Sequence, residues 1–137
     1  MAPGVPERFN PPFQRVLGIQ MGVGDDGAGK AWVDIDPETH WGSNSAHGGL
    51  VGTLADVASG VAIGQKVGDP FRTIEGTIEL KVNFLRKASE GDLTATARLV
   101  HLGRRLAVTE VEITNKGSLC AKAIATFMLR REGTEVP

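Results

Sequence analysis

An excess of positive charge is the first thing this 137-residue chain lacks. Fifteen Lys and Arg stand against sixteen Asp and Glu, a formal net charge of −1 at pH 7, which argues against nucleic-acid binding through a broad basic face. Long apolar runs are also missing: none approaches the ~18–20 residues needed to cross a bilayer, so no membrane span is expected. The start, Met1-Ala2-Pro3-Gly4-Val5-Pro6-Glu7-Arg8, lacks the charged head and apolar stretch of a secretory signal, and the expected location is the cytoplasm. Cys120 is the one cysteine and has no partner for an internal disulfide; with three histidines it is poor material for a metal site. What is there is 41% hydrophobic residues in a length that suits one domain with a proper core.

Four of the seven prolines fall in the first twelve residues, so the chain begins as an irregular arm over 1–14, with a helical turn at Phe13 to Leu17. A single domain is expected over 15–131 and a short tail over 132–137. Ile19 to Val23 and Lys30 to Asp36 read as two strands around a glycine-rich turn. Gly22-Val23-Gly24-Asp25-Asp26-Gly27 has dinucleotide-binding spacing. Gly24 through Gly29-Lys30 mimics a phosphate-binding loop, save that Ala31 replaces the magnesium-binding hydroxyl. Both motifs need a helix next, and Ala31-Trp32-Val33-Asp34-Ile35-Asp36 alternates as a strand does. They are decoys.

Leu50 to Lys66 predicts one long helix, with Leu50, Leu54, Val57 and Val61 at helical spacing. Its other faces carry Gly52, Ala55, Ser59, Gly60 and Gly64 rather than charges, so it is expected to be buried nearly all round. Gly68 and Pro70 stop it. Four strand-like runs follow. Ile78, Leu80, Val82 and Phe84 alternate with the polar Thr77, Glu79, Lys81 and Asn83. Leu93 to Leu99 alternates likewise. Arg105 to Thr114 has a parity slip between Val108 and Val111 that reads as a bulge. After the hairpin signal Asn115-Lys116-Gly117, Leu119 to Leu129 closes the sheet. Short turns imply antiparallel neighbours, so the fold class is α+β, a long antiparallel sheet with one buried helix.

The chemistry gathers where Asn44-Ser45-Ala46-His47-Gly48-Gly49 opens that helix. The unpaired N–H groups of a first helical turn, at the positive end of the helix dipole, suit a developing oxyanion. The plainer alternative is that Asn44 or Ser45 caps the helix and the glycines allow close packing. Asp56 weighs against it: a carboxylate on so apolar a helix needs a partner, and such groups cluster at functional sites.

His47-Gly48-Gly49 with Asp56 nine residues after the His resembles hotdog-fold acyl-CoA thioesterases, in particular their phenylacetate-degradation (PaaI-like) branch. Thr77-Ile78-Glu79-Leu80-Lys81-Val82-Asn83-Phe84-Leu85, His101-Leu102-Gly103-Arg104-Arg105-Leu106 and Gly117-Ser118-Leu119-Cys120-Ala121-Lys122-Ala123 extend the likeness over roughly residues 15 to 130. The resemblance implies a hotdog fold, hydrolysis of an acyl- or aryl-CoA thioester to the acid and coenzyme A, and no resident cofactor. It implies that Gly48 N–H polarises the thioester carbonyl while His47 orders the turn, with Gly49 beside them. Asp56 would be general base or nucleophile, and Thr77, on the polar face of its strand, would orient the attacking group. Many members carry Asn or Gln six residues before the His; here Trp41 stands there, preceded by His40. Trp41 is a candidate wall of the acyl pocket, or loop packing, and Asn44 a candidate substitute for the missing amide. Arg104, Arg105 and Arg86, with Lys87, are candidate partners for coenzyme A phosphates. His101 and Cys120 read as sheet residues without a chemical role.

Gly48 and Asp56 are eight residues apart, ~12 Å along one helix, so one carbonyl cannot meet both within a chain. A two-fold homodimer with antiparallel helices brings the partner's Asp56 to Gly48, twice per dimer. The family implies the same dimer, often paired again into a tetramer. Two other functions fit the same residues: an acyl-thioester hydratase or dehydratase using His47 with Asp56 as acid and base, and a non-catalytic acyl-CoA-binding protein.

Overall fold

Alternating apolar residues become six strands, and the one long helical stripe becomes the helix that crosses them. The computed structural model describes residues 10–69 and 73–130; residues 1–9 of the expected arm over 1–14, Pro70 and the tail over 132–137 lie outside the described residues. The elements are α1 (Pro12–Leu17), β1 (Gln20–Val23), β2 (Gly29–Ile35), α2 (Pro37–His40), α3 (Gly48–Val67), β3 (Ile74–Phe84), β4 (Gly91–Leu102), β5 (Leu106–Asn115) and β6 (Ser118–Leu129). All strand pairs are antiparallel, in the order β1-β2-β4-β5-β6-β3. The sheet with its long helix is the α+β hotdog architecture. The chain's last strand therefore lies inside the sheet, and β3 forms the edge: α3 carries the chain from β2 across β4, β5 and β6 to the far side. Among the described residues no helix is long and apolar enough to cross a membrane.

Small side chains let α3 lie close to the sheet. Ala31, Ala95, Ala97, Ala121, Ala123 and Ala125 are all buried on the helix-facing side, against Leu50, Leu54, Ala58, Ala62 and Ile63. The closest approach is at Gly29. A Cβ there would overlap the Ala58 carbonyl oxygen and stand 2.5 Å from the Ala62 nitrogen. The glycine-rich turn is thus a hairpin end, with a strand after it. Asp26 braces it by accepting from Ala28 N–H at 3.2 Å and pairing with Arg98. The Ala28 N–H first, and Arg98 second, hold the Asp26 carboxyl below the usual carboxylate range.

Three expectations need correction. First, α3 is not buried all round: Gly48 and Gly49 are exposed, and Gly52, Asp56, Gly60 and Gly64 are half-buried along the side facing the sheet edge. Glycines on that side leave it without bulk to cover itself. Second, the parity slip in β5 is no bulge. Its register is unbroken from Leu106 to Ile113, and Thr109 takes an inward position, fully buried. Thr109 Oγ1 donates to Ser59 Oγ at 2.7 Å, and Ser59 Oγ donates to the Ala55 carbonyl at 2.8 Å, so the polar core position is satisfied. Third, α2 was not foreseen, although Asp36-Pro37 signals it: Asp36 Oδ1 accepts from Glu38 N–H at 3.1 Å, and proline takes the first helical position.

The Gly29 contact is with backbone, which cannot rotate away. Gly29→Ala is expected to cost about 3 kcal/mol or more, at the upper end for overpacked cores. Urea unfolding checks it: a lower midpoint at unchanged slope is expected, and a loss below about 0.5 kcal/mol would show that α3 does not lie where described.

Candidate active site

Helix α3 begins at Gly48, which makes His47 its N-cap, and the histidine ring does the capping. His47 Nδ1 accepts from Gly49 N–H at 2.8 Å, and the His47 carbonyl accepts from Leu50 N–H at 2.9 Å. Asn44 and Ser45, considered above as caps, lie too far upstream in a loop. That loop is closed by a bridge between Trp41 and Ala46 and by Gly42 N–H on the Ser45 carbonyl at 2.7 Å. Both glycines lie against a neighbouring side chain. A Cβ at Gly49 would press against His47 Nδ1 at 2.9 Å, and one at Gly48 would stand 3.4 Å from the Phe84 ring. Of the first three amides of α3, Gly49 and Leu50 are bonded. Gly48 N–H meets no acceptor among the described residues and points outward at the positive end of a 20-residue helix.

The loop before the cap is fixed from below. Buried His40 accepts from Asp36 N–H at Nδ1 (2.9 Å), which leaves its Nε2–H to donate to the Leu17 carbonyl at 2.8 Å. Its own carbonyl accepts from His47 N–H at 2.8 Å. Trp41 is half-buried and packs on the core, so loop packing is at least part of its role; Asn44 is exposed at the loop tip and bonds nothing among the described residues.

Asp56 stands two turns further on, half-buried, and Thr77 Oγ1 donates to its Oδ1 at 2.6 Å. Thr77 was expected on the polar face of its strand. The register shifts between Thr77 and Glu79, and this bulge turns Thr77 towards the helix, opposite buried Phe127, while Glu79 and Lys81 face away. No donor among the described residues reaches Oδ2 of Asp56.

The structure thus gathers two groups rather than one. Trp41, His47, Gly48, Gly49 and Phe84 lie at the N-terminal end of α3; Asp56 and Thr77 lie ~12 Å along its axis. The cations are also divided. Arg86 and Lys87 follow β3 at its Phe84 end, whereas Arg104 and Arg105 turn between β4 and β5 at the other, where Leu129 N–H bonds the Arg105 carbonyl at 2.7 Å. The length of β3, roughly 30 Å, separates them. His101 sits exposed at a bulge in β4. Cys120 is buried, and burial pushes its thiol pKa up, away from reactivity. Phe84 was read from sequence only as an alternating strand residue; nothing in the periodicity could have set it against Gly48.

The model of the thioesterase superfamily matches residues 43–122, the stretch that holds both groups except Trp41. The chain is 29% identical over 135 residues to the medium/long-chain acyl-CoA thioesterase YigI of Salmonella typhimurium, covering 88% of this chain and 87% of that protein. Among solved structures it is similar to the conserved protein PA5202 of Pseudomonas aeruginosa, with a TM-score of 0.81, 28% identity, and 90% and 98% of the two chains covered. It is also similar to a mutant of the phenylacetic acid degradation protein PaaI of Thermus thermophilus, with a TM-score of 0.73, 26% identity and 86% and 98% covered. The chain belongs to the thioesterase superfamily, in its hotdog-fold, PaaI-like branch, and is a thioester hydrolase.

Among the described residues, the Thr77 hydroxyl is the one hydrogen-bond donor to the Asp56 carboxylate. Thr77→Val keeps the shape and removes the donor. A hydrogen bond to a charged group is worth ~1.5–3 kcal/mol, so kcat should fall about ten- to hundredfold, while Thr77→Ser stays within about threefold. Thiol-release kinetics check this; equal rates for Val and Ser would mean the bond is idle in catalysis.

Proposed function

We propose that the chain hydrolyses acyl thioesters of coenzyme A to the free acid and coenzyme A, in two equivalent sites each shared between two copies. The observation that carries this reading is the free Gly48 N–H and the Thr77-held Asp56 on one rigid helix, too far apart to act on one carbonyl. A two-fold axis passing near Gly52 and Leu80, midway between the groups, sets the Asp56 of the partner subunit beside Gly48. Gly52 and Leu80 are neighbours across the helix and the edge strand: a Cβ at Gly52 would stand 3.9 Å from Leu80 Cδ2.

In the shared site the thioester oxygen accepts from Gly48 N–H. Oδ1 of Asp56 is held by Thr77, and Oδ2 takes a proton from water as the water oxygen bonds to the carbonyl carbon. The negative charge that collects on the thioester oxygen is met by the N–H and the helix dipole. Collapse breaks the C–S bond, and the proton on Oδ2 goes to the departing thiolate. Water, the amide and the carboxylate suffice, so no resident cofactor is required. The same two-fold brings Arg86 of one copy towards the Arg104 and Arg105 end of the other, a basic rim for the phosphates of coenzyme A. A second pairing, through the outer sheet face where Leu106, Ile124 and Met128 are exposed, would make the dimer of dimers. The hydratase reading is disfavoured by His47, whose Nδ1 is occupied by Gly49 N–H in a capping role. The non-catalytic reading leaves the Asp56–Thr77 pair without a purpose. The YigI relative, named a medium/long-chain acyl-CoA thioesterase, supports the substrate class.

Asp56→Asn is expected to lose ~10²–10⁴ in kcat while remaining folded. The shared site is tested by denaturing it together with an inactive His47→Ala protein, refolding, and assaying thiol release. Random reassortment makes about half the dimers mixed. One of the two sites in each is then intact, so roughly a quarter of wild-type sites should return. No recovery, with mixed dimers seen by mass spectrometry, would mean that each site is built within one chain.

A further inference from the structure

Phe84 is the last residue of β3, opposite buried Ala121 and on the helix-facing side of the sheet. Its Cε1 and Cζ atoms lie 3.4 Å from where a Cβ on Gly48 would be, so the ring rests against the one residue of the cap that has a free amide. In the single chain 58% of Phe84 is exposed, too much for a core residue. Its root is nevertheless fixed. Leu85 N–H and Arg86 N–H both donate to the Cys120 carbonyl, at 2.8 and 3.1 Å, so the strand end cannot swing away.

A carbonyl oxygen that accepts from Gly48 N–H sits ~2.9 Å from the nitrogen, and its carbon within about 4 Å of it. The groups on that carbon must then pass along the ring, a flat wall that cannot be compressed. We propose that Phe84 sets the width of the acyl slot at the carbon next to the thioester carbonyl, admitting a plain methylene and rejecting branched or ring carbons there. This selects acyl groups that are unbranched beside the carbonyl. It rests on Gly48 N–H being the oxyanion donor, and it adds the residue that chooses among acyl groups.

The test compares hexanoyl-CoA with benzoyl-CoA and 2-methylbutanoyl-CoA as substrates of wild type, Phe84→Ala and Phe84→Leu, each first shown to have the wild-type native mass. Wild type should prefer hexanoyl-CoA. One methylene of fit in an apolar pocket is worth about 10- to 200-fold in kcat/KM. Phe84→Ala should therefore raise the ratio of bulky to straight-chain kcat/KM at least tenfold, with Phe84→Leu between it and wild type. If the alanine protein fails to assemble, Phe84→Leu decides, and a rise of about threefold supports the proposal. Ratios within about twofold of wild type, in variants that still release thiol, overturn it. So does a KM raised equally for all three esters, which would put the ring against the coenzyme A arm instead. Wild type releasing thiol from none of the esters is a different result: it removes the thioesterase reading, and this proposal falls with it.

Discussion

Helix α3 runs antiparallel to the edge strand β3, and the structure hangs on the spacing of their three contacts. Gly48 meets Phe84, Gly52 meets Leu80, and Asp56 meets Thr77. The two elements are stiff, so the amide and the carboxylate are held ~12 Å apart and no local adjustment can bring them together. That separation makes a second copy necessary for any chemistry that uses both. Two of the three contacts are made at glycines: a Cβ at Gly48 would touch the Phe84 ring at 3.4 Å, and one at Gly52 would stand 3.9 Å from Leu80 Cδ2.

The same close packing governs the other side of α3. An alanine-lined sheet draws the helix in until Gly29 touches its backbone, and nothing larger than hydrogen fits at that point. Close approach costs freedom elsewhere. The core is shallow beneath the helix, and one of its inward positions is filled by Thr109, tolerable only because Ser59 supplies a hydroxyl opposite. The helix is thereby pinned by backbone contact at Gly29 and by a buried hydrogen bond at Ser59, and both ends of the candidate site inherit that rigidity. A site of this kind is set by the scaffold rather than by loops.

Most of the strands and the helix were legible because periodicity reports burial, and burial is what these elements share. The exceptions within the strands have one cause: side-chain pattern cannot tell an extra residue in a strand from a polar residue turned inward. In β5 the pattern suggested a bulge, and the structure has Thr109 in the core. In β3 the pattern was unbroken, and the structure has a bulge that carries Thr77 to Asp56. The candidate residues His47, Gly48 and Asp56 were visible as a local motif. Their partners Thr77 and Phe84 come from 21 and 36 residues further along than Asp56 and Gly48 (77 − 56 and 84 − 48), and only the fold sets them there. The capping role of His47 was hidden for another reason. Histidine is an uncommon cap, and Asn44 and Ser45, stronger by type, stood nearby.

Strand β3 leaves one edge of the sheet open, with apolar Ile78 and Leu80 on it, a combination that natural proteins otherwise blunt. Its charges argue for what covers it. Beside Leu80, on the face away from the helix, stand Glu79 and Lys81. In a continuous sheet with both helices on one side, a two-fold axis pairs strands only in registers that keep facing residues on the same face, two residues apart. Centred on Leu80, such a pairing sets Glu79 opposite the partner subunit's Lys81, twice. Slipped one step towards the N-terminus it sets Glu79 opposite Glu79; one step the other way sets Lys81 opposite Lys81. Like charges directly across a strand pair are unfavourable and opposite charges favourable, so the three registers are not equivalent. The one that charge favours is centred where Leu80 meets Gly52, and Gly52 is midway between Gly48 and Asp56. Two unrelated features, the charge order of the edge and the spacing of the reactive groups along the helix, thus select the same axis, and that agreement is the strongest support for a site built from two chains.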